Sequence, residues 1–299
     1  MVLLSLNQPS QECVIPKHRV FTSGARDLTD SNTSPTPDAS LCLKSGSAQD
    51  DAKLIPKSSN QVSHSPGSDR ILVIMAKAPR PGSVKTRLSS SIPPEAVADF
   101  YRCLLEDTLA LARSLKNVEV AIMCPLSDLN DLVHLARNRA AVVAQNGEGL
   151  AAGLTSVFSR FSGARPHRTI AFNSDSPHLP PSVLEDAFET LATHDVVVGP
   201  THDGGYYLVG AKISYPTLFA NDGMGTSTAL ERLLSRTRNL QLSVGLADSF
   251  YDIDIAEDLT RLAAELRLTP SKAPRTAAWL REWELTAEQS DLRTGTADK

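Results

Sequence analysis

Three stretches of this 299-residue chain carry side chains suited to holding phosphate and a metal ion. The first reads Lys77-Ala78-Pro79-Arg80-Pro81-Gly82-Ser83-Val84-Lys85-Thr86-Arg87-Leu88. It follows the unbroken apolar run 71–76, which reads as a buried strand. A strand ending in a Pro/Gly loop with four cations reads as a phosphate cradle. Gly82 lets the backbone approach an anion, and Lys85 and Arg87 can neutralise it. The competing reading is a solvated basic loop. It is not a Walker A loop, because no earlier glycine stands at the required spacing before Lys85.

The second stretch is Asn173-Ser174-Asp175-Ser176-Pro177, directly after the apolar run 169–172. Ligands of open α/β sheets sit beyond the carboxyl ends of strands, where Asp175 would point. A carboxylate there suits Mg²⁺ or Mn²⁺. The alternative, a cap for the following helix, fits poorly, because Pro180 and Pro181 lie five or six residues on. The third stretch is Asp252-Ile253-Asp254-Ile255-Ala256-Glu257-Asp258-Leu259. Locally, Asp254 and Glu257 have the spacing of a capping box. Chemically, Asp252 or Asp254 supplies a second carboxylate for the ion, and an alternating strand end could send one aspartate to each task. Taken alone, the cap is favoured.

Between them lies 199–210, Gly-Pro-Thr-His-Asp-Gly-Gly-Tyr-Tyr-Leu-Val-Gly. Gly204 and Gly205 permit an unusual backbone beside a ligand. The same Asp203-Gly204-Gly205 is also a strong hairpin turn between two apolar runs. Asp203 is a candidate general base, and His202 reads as a surface loop residue.

Elements must bring these stretches together. Strands are expected at 71–76, 118–124, 168–172 and 195–199, with helices at 95–115, 129–139, 149–161 and 181–192. Alternation of strand and helix implies an α/β domain with a mainly parallel sheet. Residues 1–69 contain 13 Ser and 6 Pro but one aromatic, Phe21, and read as a disordered extension. The transferase-like domain is expected at 70–283 and a flexible tail at 284–299. The first 26 residues are only weakly transit-like, and the expected compartment is the cytoplasm.

Composition narrows the partners. A net charge of −4 gives no global attraction to nucleic acid. No apolar stretch approaches the roughly 18–20 residues of a membrane span. Four cysteines with no CxxC spacing argue against zinc or a disulfide framework.

Segments 75–88, 174–177, 199–210 and 251–259 occur in an order that resembles a GT-A-type family, the spore-coat-polysaccharide-like or arsenosugar-biosynthesis glycosyltransferases. That family is similar in turn to nucleotidyltransferases such as phospholactate guanylyltransferase. The resemblance covers about residues 70–265. It implies a single GT-A, Rossmann-like nucleotide-diphospho-sugar transferase domain. Lys77, Gly82, Lys85, Thr86 and Arg87 match its phosphate loop, Asp175 and Asp254 its metal acids, and Asp203, Gly204, Gly205 and Tyr206 its substrate-facing turn. The family commonly has Trp-Ser-Thr where this chain reads Met224-Gly225-Thr226-Ser227-Thr228, which removes an aromatic wall from the acceptor side. The implied activity is metal-dependent glycosyl transfer from a nucleotide-sugar to a small-molecule or glycan acceptor. The alternatives are nucleotidyl transfer from a nucleoside triphosphate with release of pyrophosphate, and nucleotide-sugar binding without catalysis.

Overall fold

In a computed structural model, residues 68–161, 167–220 and 226–294 are described, the side chains of 286–294 excepted. The expected extension therefore lies outside the described residues but for Ser68 and Asp69. So do Met224 and Gly225.

Among the described residues, seven strands form one sheet in the order β3-β2-β1-β4-β6-β5-β7. They are β1 (Arg70–Met75), β2 (Glu119–Cys124), β3 (Ala141–Ala144), β4 (Arg168–Phe172), β5 (Val196–Pro200), β6 (Tyr206–Ala211) and β7 (Val244–Leu246). β6 alone runs against its neighbours, pairing antiparallel with β4 and β5. The other pairings are parallel. The Asp-Gly-Gly hairpin thus exists, between β5 and β6.

Helices α1 (Pro94–Ser114), α2 (Leu129–Ala136), α3 (Gly149–Phe161), α4 (Pro181–Thr193), α5 (Ala229–Asn239), α6 (Ala256–Leu268) and α7 (Pro274–Thr294) complete the domain. Strand side chains alternate between two apolar layers. Leu72, Ile74, Ile122, Ile170 and Phe172 meet Phe100 and Leu104 of α1 and Phe188 of α4 on one face. Ile71, Val73, Ala121 and Ala171 meet Val157 and Phe158 of α3 and Leu233 of α5 on the other. Proline opens α1 and α4, at positions where a missing N–H costs nothing.

α2 stops at Ala136, short of the expected Arg139, because Arg137 turns left-handed at φ 47°. The tail expected from residue 284 begins inside α7, whose backbone stays helical to Thr294. α7 is docked on α1 by buried Asp107, which accepts bonds from Thr276 N at 2.8 Å and Thr276 Oγ1 at 2.9 Å. Phe100 and Trp279 pack with ring centroids 4.8 Å apart.

This topology fixes where a ligand can sit. From β1 the chain builds outward through β2 to β3, then returns to place β4 on the other side of β1. The crevice between the β1 and β4 loops is the switch point of an open α/β sheet.

Candidate active site

An open cavity of about 1190 Å³ lies at the carboxyl ends of β1, β2, β3 and β4. Lys77, Lys85, Thr86 and Arg87 line it from the β1 loop, and Asp175 and Asp254 from across the switch point. These six are sequence candidates that the fold brings together. Gly82, Asp203, Gly204, Gly205 and Tyr206 are not part of its lining.

The four cations of the β1 loop divide by task. Arg80 clamps the loop to the start of α2, with Nη1 on Asp128 at 2.8 Å and Nη2 on Asp131 at 2.7 Å. Ala78 N donates to Asp128 Oδ2 at 2.9 Å. Arg80 is therefore structural. Lys85 turns inward, its backbone left-handed at φ 45° and its side chain only 5% exposed. Its ammonium stands 2.7 Å from Asp175 Oδ2 and 2.7 Å from Asp254 Oδ1. Burial alone would lower its pKa, but the two carboxylates hold it above the ordinary lysine range. Arg87, 69% exposed, lies 3.7 Å from Asp254 Oδ2 and remains available to a ligand. Lys77 is exposed at the rim.

The acids form a tighter set than the sequence suggested. Asp175, Asp252 and Asp254 each offer one oxygen, all within 4.8 Å of one another. Ile253 between them is fully buried, so the two aspartates share the opposite face of an extended segment. They are not sent to different tasks. Burial, then the charge of Asp254, pushes the Asp252 carboxyl up to about 6. Three carboxylates and no softer ligand match the oxygen preference of Mg²⁺ or Mn²⁺, so the residues fit such an ion.

The capping assignment is corrected. The N-cap of α6 is Ile255, and the carboxylate that accepts the free backbone donors is Asp258, 3.0 Å from both Asp254 N and Ile255 N. This leaves the Asp254 side chain free for Lys85. Asp175 is likewise no cap, since the N-cap of α4 is Pro180.

A polar network holds the β4 loop. Tyr101 of α1 bonds Ser174 Oγ at 2.8 Å and accepts from Lys77 N at 3.2 Å, joining the two loops at the switch point. Ser174 Oγ also reaches Asp175 Oδ1 at 3.1 Å. Burial, then the Asp175 charge, pushes the Tyr101 phenol up to about 12, so it stays a neutral donor. Ser176 Oγ donates to Tyr251 O at 3.3 Å, which ties Asp175 to the segment bearing Asp252 and Asp254.

Asp203 is placed differently from a base facing a substrate. Its Oδ1 accepts from Thr201 Oγ1 and, at 3.1 Å, from Gly205 N. Burial would raise its pKa, but these bonds, with Arg87 nearby, hold it below the usual carboxylate range. Tyr206 packs partly buried with the layer under α3 and α5. Gly204 is needed for the turn itself: φ is +88°, and a Cβ would lie 2.0 Å from Ser227 O.

Sequence reasoning missed the loops after β2 and β3. Pro125, Leu126 and Ser127, then Gln145-Asn146-Gly147-Glu148-Gly149, line the cavity. The signal was there: an apolar run at 140–144 enters a Gly-rich loop and then α3.

Residues 108–226 match a sequence family described as an uncharacterized protein conserved in bacteria. A search of curated proteins finds no match. Among solved structures, the chain resembles a candidate nucleotide-diphospho-sugar transferase from Desulfovibrio desulfuricans G20. The two are 26% identical with a TM-score of 0.67, over 74% of this chain and 98% of that one. The expected α/β transferase fold, a mostly parallel sheet flanked by helices, is therefore the fold of this protein. More distant matches are Rv0371c from Mycobacterium tuberculosis H37Rv (18% identity, TM-score 0.44, 65% and 97% of the two chains) and a nucleotidyl transferase from Methanothermobacter thermautotroptrophicus (14%, 0.48, 67% and 99%). Among the described residues, no helix is long and apolar enough to cross a membrane.

Proposed function

We propose that this protein is a transferase that binds the diphosphate of a nucleotide-sugar at the β1–β4 switch point. The observation that carries the reading is the meeting of Lys85 and Arg87 with Asp175, Asp252 and Asp254 at one edge of a large open cavity. The likeness to the Desulfovibrio protein supports it, since that relative is described as a candidate nucleotide-diphospho-sugar transferase. Glycosyl transfer of the spore-coat-polysaccharide-like or arsenosugar type is the narrower form of this reading.

Arg87 and Lys77 would receive the outer phosphate oxygens, and Thr86 would donate to them. Asp175, held by Ser174 and Tyr101, would hold Mg²⁺ or Mn²⁺ with Asp252 and Asp254. Such an ion supplies Lewis-acid stabilisation to a departing diphosphate. The residues of this chain align that leaving group and neutralise it, while an acceptor enters from the open mouth.

One observation favours nucleotidyl transfer as a second reading. Asp203, the candidate base, is committed to its own turn. A phosphate nucleophile is already anionic near neutral pH and needs no base, whereas direct attack by a neutral hydroxyl does. A panel of nucleoside mono-, di- and triphosphates and nucleotide-sugars, titrated with and without Mn²⁺, tests the shared reading. Metal-dependent binding of diphosphate-containing ligands is expected. Binding by none of them would reject it. Release of pyrophosphate or of a nucleoside diphosphate during turnover separates nucleotidyl from glycosyl transfer, and the absence of turnover with any donor would leave a binding protein.

A further inference from the structure

Lys85 stands between Asp175 Oδ2 and Asp254 Oδ1, two of the oxygens that an ion shared by these aspartates would draw on. Its ammonium is 2.7 Å from an oxygen of each, and its side chain is almost wholly buried. An ammonium that bridges two carboxylates at hydrogen-bond distance occupies the space between them. A divalent ion bonded to the same two oxygens cannot be added without moving it. Three carboxylates within 4.8 Å repel one another, so removing the ammonium without a replacement is costly. The residue is also held under tension, because Lys85 is a non-glycine residue at φ 45°, in the sparsely populated left-handed region.

We infer that Lys85 is a tethered cation that keeps the three-acid set closed to a free divalent ion and yields only when a polyphosphate arrives. The inference rests on the proposed nucleotide reading. The ligand class it names is the ion together with a nucleoside diphosphate unit, not the ion alone. The β1 loop supplies the exchange. Thr86 and Arg87 beside Lys85 already line the cavity, so a phosphate bound there offers the ammonium a new anionic partner. As Lys85 swings to that phosphate, Asp175 and Asp254 are released to the ion. Ion and nucleotide therefore bind with positive coupling, each tightening the other by the same factor. Without the nucleotide, the two partly buried ion bonds of Lys85 hold the loop and the acids together.

The test measures Mn²⁺ alone on the nucleotide-free full chain, by the electron paramagnetic resonance signal of the free ion. Native protein is compared with Lys85→Met and with Lys85→Arg, which keeps the charge. Lys85→Met should bind Mn²⁺ about tenfold or more tightly than native, within the usual range of site-to-site coupling, while Lys85→Arg should stay near native. Equal or weaker binding by a folded Lys85→Met overturns the inference, as does a rise of the same size in Lys85→Arg. Far-ultraviolet circular dichroism establishes folding, and Lys85→Gln serves in its place if the Met variant fails to fold. In a second arm the four ribonucleoside diphosphates are titrated in turn, with and without Mn²⁺. The Mn²⁺ enhancement of their binding should shrink in Lys85→Met; an unchanged enhancement counts against the exchange. If native protein binds no diphosphate under any condition, the proposed function fails, and the Mn²⁺-only arm still decides whether Lys85 guards the acids.

Discussion

Replacing His178 with phenylalanine should flatten the acid limb of the stability profile. His178 is fully buried between Phe250 and Tyr251, with ring centroids 4.9 and 4.7 Å away. Neither ring nitrogen has a hydrogen-bond partner among the described residues. Burial lowers its pKa from 6.5 to about 4; Glu265 partly opposes this, while Lys272 and Arg261 add to it. The folded pKa lies below the unfolded one, so between these values the unfolded chain binds more protons. Stability is then full above about pH 6.5 and falls as the pH drops toward 4. The loss is about 2 kcal/mol at pH 5 and approaches about 3 kcal/mol below pH 4. Asp252, whose folded pKa is raised to about 6, works in the opposite direction over part of this window, because its protonation favours the folded state. Subtracting the two proteins' profiles removes that contribution. Urea unfolding at pH 7, 6, 5 and 4.5 gives both profiles. Phenylalanine keeps an aromatic ring in the slot and removes the titration, so the native-minus-variant difference should shift by about 2 kcal/mol between pH 7 and 5. Parallel profiles across that range would refute the reasoning and mean that His178 is solvated or paired in solution.

The remaining expectations separate local structure from the site. Asp258→Ala should cost about 1 kcal/mol in urea unfolding through loss of the α6 cap, while Asp254→Ala should leave that cap intact. Equal helix-capping losses in both would return the cap to Asp254. Gly204→Ala should cost about 2 kcal/mol or more, because φ is +88° and the new Cβ would meet Ser227 O at 2.0 Å; a neutral effect on the melting temperature would mean that the turn refolds easily. Arg87→Ala should weaken binding of a nucleoside diphosphate by about 1.5–3 kcal/mol with an unchanged melting temperature, since the side chain is exposed and serves the ligand. Calorimetric titration at low salt that finds native affinity would remove Arg87 from the site.

The sequence by itself determined the parts whose signal is local. β1, β4 and α3 follow from unbroken apolar runs or a sustained helical period, and both flanking prolines mark helix starts. The switch-point candidates Lys85 and Asp175 were legible because each sits in a polar loop directly after a buried strand. β7, at three residues, is too short to show a period, and β3, at four, shows only a short apolar run before a Gly-rich loop; pairing with β2 and β5 is what makes them strands. Four cations in one loop look alike in sequence, yet packing makes Arg80 a clamp, buries Lys85 and leaves Arg87 open. The choice between Asp254 and Asp258 as cap depends on which carboxylate faces the first turn of α6, and Lys85, 169 residues away, draws Asp254 elsewhere. Tyr206 shows the same limit, since the register of β6 against β4 and β5 decides which layer receives its ring. Local propensity selects elements; only the packing of distant elements brings Asp175, Asp252, Asp254 and Lys85 within reach of one another, because the attraction of Lys85 for Asp175 and Asp254 acts over a few ångströms that the chain must first fold to create.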